Sequence, residues 1–313
     1  MNSQCEFSTF LPAKKIAKNL HIPLIHTYHT VYEDYTHYFS TNIVLGKTVV
    51  KKLTKSILGK TDCVIAPTEK IRKMLVNYGV NQPIEVIPTG IELEKYKKIT
   101  DKHDLISLKK ELNIPQGTLI LLFVGRLADE KNIDELLRYS ALLNRNSMLL
   151  IVGDGPEKVR LEKLVLELGI AGRVRFVGMI CPDEVSKYYH AADLFVSAST
   201  SETQGLTYIE ALASGLPLLC RKDSCLEDIL KNGVNGYQYT DFQSFFRFIE
   251  KEANNPSILK LLKNNASIEV QSYSTDSFTD HILSVYRYML EHVPMAYYEP
   301  NAETQLGRLF FIK

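Results

Sequence analysis

Glu202 and Glu210 bracket a stretch that reads Glu202, Thr203, Gln204, Gly205, Leu206, Thr207, Tyr208, Ile209, Glu210. It follows a short apolar run at 194–197 and a small-residue stretch at 198–201. Gly205 permits close backbone approach, and the residues after it open a helix. The N–H groups of Gly205, Leu206 and Thr207 would then point at an anion on the helix axis, with the dipole assisting. Two carboxylates flanking a phosphate suit the hydroxyls of a sugar and of a ribose, because each accepts two hydrogen bonds. A capped surface helix with unrelated acids would read the same way if this stretch stood alone.

It does not stand alone. Gly125, Arg126 and Leu127 close the apolar run 118–124, and Lys131 opens the helical pattern that follows. Ligands of open α/β sheets bind outside the carboxyl ends of the strands, so Arg126 and Lys131 are two cations at the edge where a diphosphate would need neutralising. Arg supplies a fork and Lys a point charge. The competing reading is a solvated strand-end Arg126 paired with Asp129 or Glu130. Gly153, Asp154, Gly155 and Pro156 form another strand-to-helix turn on the same edge, although the third glycine of a dinucleotide-binding turn is missing. His26 and His29 would need further ligands to hold a metal. Cys220 and Cys225 lack the matching second pair of a zinc site, and five widely spread cysteines describe reduced thiols, not a disulfide framework.

These residues must be held by something, and the chain supplies it as short Val/Ile/Leu runs alternating with amphipathic stretches. The strand candidates are 24–27, 63–66, 84–87, 118–124, 148–152, 174–177, 194–197 and 216–220, with helical patterns at 69–77, 132–143, 157–168 and 207–213. Continuous apolar strands separated by helices indicate parallel sheets covered on both faces. In 313 residues, 37 Lys+Arg oppose 36 Asp+Glu, and 45% of residues are hydrophobic, which excludes a disordered or nucleic-acid-coating chain. That length suits two domains, and no apolar run approaches the roughly 20 residues of a bilayer span. The region around 91–117 divides the chain, and the part before it offers only three convincing strands. After Asp241 the pattern is helical to His292.

The balanced charge hides a local asymmetry. Between 46 and 60 there are five lysines and no acid; Lys47, Lys51 and Lys55 fall on one helical face, and Val50, Leu53 and Ile57 on another. Such a helix can lie at an anionic membrane surface, or it can be a solvated helix packed on a sheet. Tyr28, Tyr32, Tyr35, Tyr38 and Phe39 precede it, and they suit either a lipid headgroup or a core.

Together, Glu202-x7-Glu210, Gly125-Arg126 with Lys131, Gly153-Asp154-Gly155-Pro156 and Ile87-Pro88-Thr89-Gly90-Ile91-Glu92 resemble glycosyltransferase family 4 (group 1). Within it, the segment His26 to Tyr35 and the basic helix after it resemble the bacterial diacylglycerol glucosyltransferases. The resemblance implies an α/β chain of GT-B type with two Rossmann-like domains, the N-terminal one incomplete. It divides into an acceptor-side domain at 1–100, a donor-binding domain at 101–270, and a helix and tail at 271–313, the helix packing back toward the first domain. It implies a retaining transfer of a hexose, glucose by preference, from a UDP-sugar to diacylglycerol, with no metal or other cofactor and no nucleic-acid partner. Arg126 and Lys131 would bind the diphosphate and Glu202 the sugar hydroxyls. Gly205, Leu206 and Thr207 would supply backbone contacts and Glu210 would hold the ribose. The backbone at Gly153 and Val177 would complete the donor site, and His29 would stand beside the transferred sugar as the catalytic residue. Tyr32, Tyr35, Lys51, Lys52 and Lys55 would meet the lipid acceptor, placing the chain in the cytoplasm at the inner face of the cell membrane. Because the first strands and a glycine-rich loop of the family have no counterpart before 7–20, impaired turnover is a further expectation. The alternatives are a transferase of surface-polysaccharide assembly, a non-catalytic partner subunit, and a hydrolysing sugar-nucleotide epimerase, which the two-glutamate pattern disfavours.

Overall fold

The computed structural model describes residues 1–6, 8–33, 43–98, 100–143, 146–253, 255–268 and 270–292. The first sheet holds β1 (Asn2–Ser3), β2 (Ile25–Thr27), β3 (Cys63–Ala66) and β4 (Ile84–Val86), all parallel and in that order. Helices α1 (Phe10–Leu20), α2 (Ile43–Leu58) and α3 (Glu69–Asn77) alternate with them. This sheet therefore holds one strand more than the sequence suggested among the described residues. The two polar residues of β1 carry no apolar pattern, and it pairs on one side only, with β2.

After α4 (Leu93–Lys97) and α5 (Lys102–Glu111) comes the larger unit: β5 (Leu119–Val124), α6 (Ile133–Leu142), β6 (Ser147–Val152), α7 (Lys158–Glu167), β7 (Val174–Gly178), α8 (Val185–Ala191), β8 (Leu194–Ser197), α9 (Leu206–Ala213), β9 (Leu218–Arg221) and β10 (Gly236–Tyr239). Its six parallel strands run β10-β9-β8-β5-β6-β7. That is the doubly wound order, in which the direction of winding reverses between β5 and β8. β5 shows why the apolar runs are continuous. Leu119, Leu121 and Phe123 enter the core with Leu136, Leu137 and Leu161, while Ile120 and Leu122 enter the opposite core with Tyr189 and Ile209. Alternate residues serve opposite faces, and both faces are dry.

The helices α10 (Phe242–Arg247), α11 (Pro256–Ala266) and α12 (Thr275–His292) complete the described chain. α12 crosses back, burying Ile282 and Met289 against Ile25, Cys63, Ile65 and Ile87 of the first sheet. At the crossing, Gly90 has no room for a side chain: a Cβ would lie 2.7 Å from the Ser274 carbonyl oxygen and 2.7 Å from Phe278 Cβ. Conversely, Leu93, Tyr96 and Leu108 belong to the second core although they precede its first strand. Tyr28 is wholly buried in the first core with Val64 and Ile71, so it makes no surface contact. The described cysteines are all unpaired with one another, and no described helix is long and apolar enough to cross a membrane.

Candidate functional site

A cleft of about 260 Å3 opens at the carboxyl end of the second sheet, lined by Phe123 to Arg126 from β5 and its turn, Glu130 and Lys131, Phe195 and Ser197 from β8, Glu202, and Leu206 and Thr207 from α9. It therefore sits at the point between β5 and β8 where the winding reverses, the place where such sheets bind ligands. Of the sequence-selected residues it gathers Arg126, Lys131, Glu202, Leu206 and Thr207.

Tight backbone packing positions these groups. Leu127 N–H donates to the Asp154 carbonyl at 3.0 Å, and Glu157 N–H donates to the Leu127 carbonyl at 3.0 Å. The turn after β5 thus lies flat on the turn after β6. Gly153 makes that possible: its φ is +133°, and a Cβ there would stand 1.9 Å from the Gly125 oxygen. Gly153 serves the cleft through this support and does not line it. Arg126 is exposed into the cleft, and its side chain makes no ion pair or hydrogen bond among the described residues, which sets aside its pairing with Asp129 or Glu130. Lys131 ends a short 3-10 turn, two residues before α6, and pairs instead with Glu202 at 2.6 Å. Both side chains are about four-fifths buried, at 18% and 19% exposure, so the pair is less screened than a surface bridge.

Gly205 caps α9 at φ +74°, where a Cβ would meet the Tyr208 ring at 2.4 Å. The first N–H groups of α9 have no intrahelical acceptor and face the cleft at Leu206 and Thr207. Glu210 lies farther along α9, outside the lining. It accepts a hydrogen bond from the Tyr189 hydroxyl at 2.6 Å, and it neighbours Tyr96. Burial pushes both phenols up in pKa and the Glu210 charge adds to it, so they remain donors to a carboxylate. Val177 is on β7, the edge strand, also outside the lining.

The sequence reading missed what holds the Glu202 loop. Lys70, at the start of α3, donates to the Thr200 carbonyl at 3.0 Å, the Glu202 carbonyl at 3.1 Å and both oxygens of Asp223 at 2.8 Å. Thr68, the N-cap of α3, donates to the Thr203 carbonyl at 2.8 Å. Gln204, 3% exposed, grips Thr89 twice, accepting from its N–H at 2.8 Å and donating to its carbonyl at 3.0 Å. The first domain therefore clamps residues 200–204 of the second. Only Gln204 stood inside a motif, and nothing local marked it as a bridge.

In the first domain, His29 follows β2 and is half-buried; burial lowers its pKa below the ordinary 6.5, with Glu6 raising it and His26 lowering it further. A neutral ring is the form that burial favours. His26 is fully buried, with Ser3 Oγ at 2.8 Å from Nδ1 and Glu6 Oε1 at 3.1 Å from Nε2. Tyr32 donates to the other Glu6 oxygen at 2.5 Å. Lys51, Lys52 and Lys55 are exposed on α2, and Tyr35 lies outside the described residues. Among the described residues no cluster of His, Cys, Asp or Glu is arranged to hold a metal.

With that geometry in place, known proteins can be set beside it. The model of glycosyl transferases group 1 matches residues 106–268, and that of Glycosyltransferase Family 4 matches residues 2–95. An alpha-monoglucosyldiacylglycerol synthase of Streptococcus pneumoniae is 42% identical over 243 residues, 76% of this chain and 55% of the relative. One of Acholeplasma laidlawii is 32% identical over 290 residues, 90% of this chain and 73% of the relative. The chain thus spans little more than half of the streptococcal protein's length. Anabaena HepE, solved in complex with UDP and glucose, superposes with a TM-score of 0.77 at 19% identity, covering 89% of this chain and 75% of that one. Sucrose-phosphate synthase of Thermosynechococcus elongatus superposes with a TM-score of 0.76 at 24% identity, covering 93% and 73%.

Proposed function

Because the chain belongs to the group 1 and family 4 glycosyltransferases and has their GT-B arrangement of two parallel-sheet units, we propose that it moves a hexose, glucose in our reading, from a UDP-sugar to diacylglycerol with retention. The observation that carries the reading is the convergence of Arg126, Lys131, Glu202 and the α9 terminus on one cleft at the winding reversal. In it, Arg126 and Lys131 neutralise the donor diphosphate, assisted by the Leu206 and Thr207 N–H groups. Glu202 exchanges its contact with Lys131 for the sugar hydroxyls. Glu210, oriented by Tyr189, accepts from the ribose, and the backbone at Val177 receives the base. The Lys131–Glu202 pair is set so that the donor separates two groups already held at 2.6 Å, each offered a partner of its own kind.

In the transfer itself, the acceptor hydroxyl attacks the anomeric carbon from the face that UDP leaves. Its proton passes to the departing phosphate oxygen, the carbon–oxygen bond to phosphate breaks, and UDP departs. Negative charge grows on the leaving diphosphate, where Arg126 and Lys131 are fixed in place before reaction; such preorganised charge is the main contribution asked of the protein. The proposal assigns no cofactor, since these cations take the role, and no protein nucleophile. His29, neutral by burial, flanks the transferred sugar. The relatives named for glucosyldiacylglycerol synthesis support diacylglycerol as acceptor, and exposed Lys51, Lys52 and Lys55 support work at an anionic membrane surface.

The test is incubation of the purified chain with labelled UDP-glucose, UDP-galactose or UDP-N-acetylglucosamine in mixed micelles with diacylglycerol or with a lipid-linked sugar. Label in a monohexosyl-diacylglycerol, from UDP-glucose above the others, is the expected product. Label only in the lipid-linked sugar would transfer the assignment to polysaccharide assembly, and UDP-sugar binding without any lipid product would favour a non-catalytic subunit.

A further inference from the structure

A second cavity of about 260 Å3 lies in the first domain beneath α2, lined by Glu6, Tyr32, Val49, Leu53, Thr54 and Ile57. Its walls are aliphatic, and one end is not. Glu6 is 7% exposed and stands at that end with Tyr32. A carboxylate is rarely taken so far from water unless it is paired, and Glu6 is paired twice, through His26 and Tyr32. Burial alone would raise its pKa, but these two hydrogen bonds and the His26 charge outweigh burial and hold it below the ordinary 4.5. It is therefore an anion at neutral pH; of the roughly four lone pairs on its oxygens, His26, Tyr32 and its own backbone N–H use three, and one remains.

Of the cavity-lining residues α2 exposes Val49 and Leu53, one turn apart, at 52% and 44%, and Leu45 a further turn back is 60% exposed. Lys51, Lys52 and Lys55 are exposed on the same helix. A ligand fitting this site is apolar along its body and ends in a hydrogen-bond donor. The lysines attract an anionic surface and repel a cationic donor such as an amine, which leaves a neutral alcohol. The volume falls just short of the roughly 300–1,000 Å3 that takes a whole drug-sized ligand, so one end of a lipid enters and the rest remains outside. His29 is close enough for Glu6 and His26 to act on its charge, so the polar end of the cavity is electrostatically continuous with the residue assigned to the transferred sugar.

We propose that this cavity seats the hydroxyl-bearing glycerol end of the lipid acceptor, its free hydroxyl donating to the Glu6 carboxylate while the adjoining chain lies along Val49, Leu53 and Ile57. Glu6 is then the acceptor-binding residue, and His26 and Tyr32 are positioning residues that fix its two oxygens. The proposal rests on the lipid-acceptor reading above, and its test is separable from it.

The chain contains no tryptophan, so Leu53→Trp places a single fluorophore at the cavity mouth. Titration with 1-O-decylglycerol below its micellar concentration is expected to shift its emission to the blue. The same ether with both hydroxyls methylated is expected to bind about tenfold more weakly, about 1.4 kcal/mol. Adding Glu6→Gln is expected to abolish that preference. Equal binding of the two ethers, or a preference that survives Glu6→Gln, overturns the proposal. Val49→Lys leaves the Glu6 hydrogen bonds in place and is half-exposed, so it covers the case in which Glu6→Gln does not fold; it is expected to lose the decylglycerol signal while UDP affinity by calorimetry is kept, and undiminished binding overturns the site. If diacylglycerol receives no hexose yet the probe binds in a Glu6-dependent way, the functional reading falls and the site stands. If transfer proceeds and Glu6→Gln leaves the KM for diacylglycerol unchanged, the site falls and the functional reading stands.

Discussion

Removing the Lys70 ammonium tests whether the first domain sets the geometry of the donor cleft. Lys70 Nζ meets four acceptors on the second domain, two backbone carbonyls and both oxygens of Asp223. The Asp223 side chain is 3% exposed and the Lys70 side chain 21%. In Lys70→Met, Asp223 keeps the Cys225 N–H at 2.8 Å and the thiol of the same residue, but no cation. Losing one partner of a buried pair costs about 3–5 kcal/mol, and because water can enter along the partly exposed Lys70 side, a value below that range, about 2–3 kcal/mol, applies here. In a chain of 313 residues that corresponds to a fall in Tm of roughly 3–5 °C. Lys70→Met with Asp223→Asn removes both charges and should recover most of it, so a double-mutant cycle should show about 1–3 kcal/mol of coupling.

The catalytic consequence is separate from the stability one. The Thr200 and Glu202 carbonyls lose their shared donor, the loop carrying Glu202 relaxes, and KM for the UDP-sugar rises. The double variant keeps that defect although its stability returns, while Lys70→Arg, which restores a cation with several donors, should recover KM in part. Calorimetric unfolding and initial rates on the four-variant cycle supply both measurements. Additivity of the two single substitutions within 0.5 kcal/mol, or a Tm loss with an unaltered donor KM, would refute the clamp.

Arg126→Ala should leave Tm within about 1 °C, since the side chain is exposed and touches no described partner; UDP should bind about tenfold more weakly by calorimetry, UMP should be affected less, and the difference should shrink at high salt. For pH, burial lowers the pKa of His190 below 6.5 against the opposing Tyr96 carbonyl, and His29 shifts the same way. Between the folded value and 6.5 the unfolded chain therefore binds more protons, so stability is complete above about 6.5 and is lost as pH falls toward the folded values. Urea midpoints from pH 7.5 to 5 should show that slope, and it should diminish in His190→Gln.

The sequence made legible those features that depend on neighbours close in the chain. Continuous runs such as 148–152 read as strands because a parallel strand is apolar on both faces, and β6 is buried along its whole length. β1 and β10 escaped because neither carries a continuous apolar run: Asn2–Ser3 is polar, and Gly236–Tyr239 alternates two tyrosines with glycine and glutamine. Arg126, Lys131 and Glu202 were legible because a strand end followed by a helix start defines where a ligand edge must be. Glu6, Lys70 and Asp223 were not, since each acquires its role from a partner far along the chain: 153 residues separate Lys70 from Asp223, and 20 separate Glu6 from His26. Glu210 was legible, whereas Tyr189, which orients it, looked like one more aromatic of a core helix.

The two kinds of contact between the domains imply where they pivot. At the linker, backbone meets backbone: Ile91 N–H donates to the Tyr273 carbonyl at 2.9 Å, Thr275 N–H donates to the Ile91 carbonyl at 3.2 Å, and Gly90 is packed with no space for a methyl group. Motion there would break close packing, which resists continuous deformation. At the donor loop the bridges are Thr68, Lys70 and Gln204 side chains reaching carbonyls, one N–H and, from Lys70, the Asp223 carboxylate. Water replaces the neutral bonds at a net cost of about 0.5–1.5 kcal/mol each, and on opening Lys70 and Asp223 both regain water. Opening is therefore cheaper on the side of Glu202 than on the side of Gly90, so the domains should rotate about the crossing of residues 90–91 with α12. Because Lys70 holds the Glu202 backbone while Lys131 holds its side chain, that rotation pulls Glu202 away from the second-domain cations. On the proposed reading, a sugar on Glu202 and a diphosphate on Arg126 and Lys131 together oppose it, so the intact donor should close the cleft more firmly than UDP, which would engage only the cations.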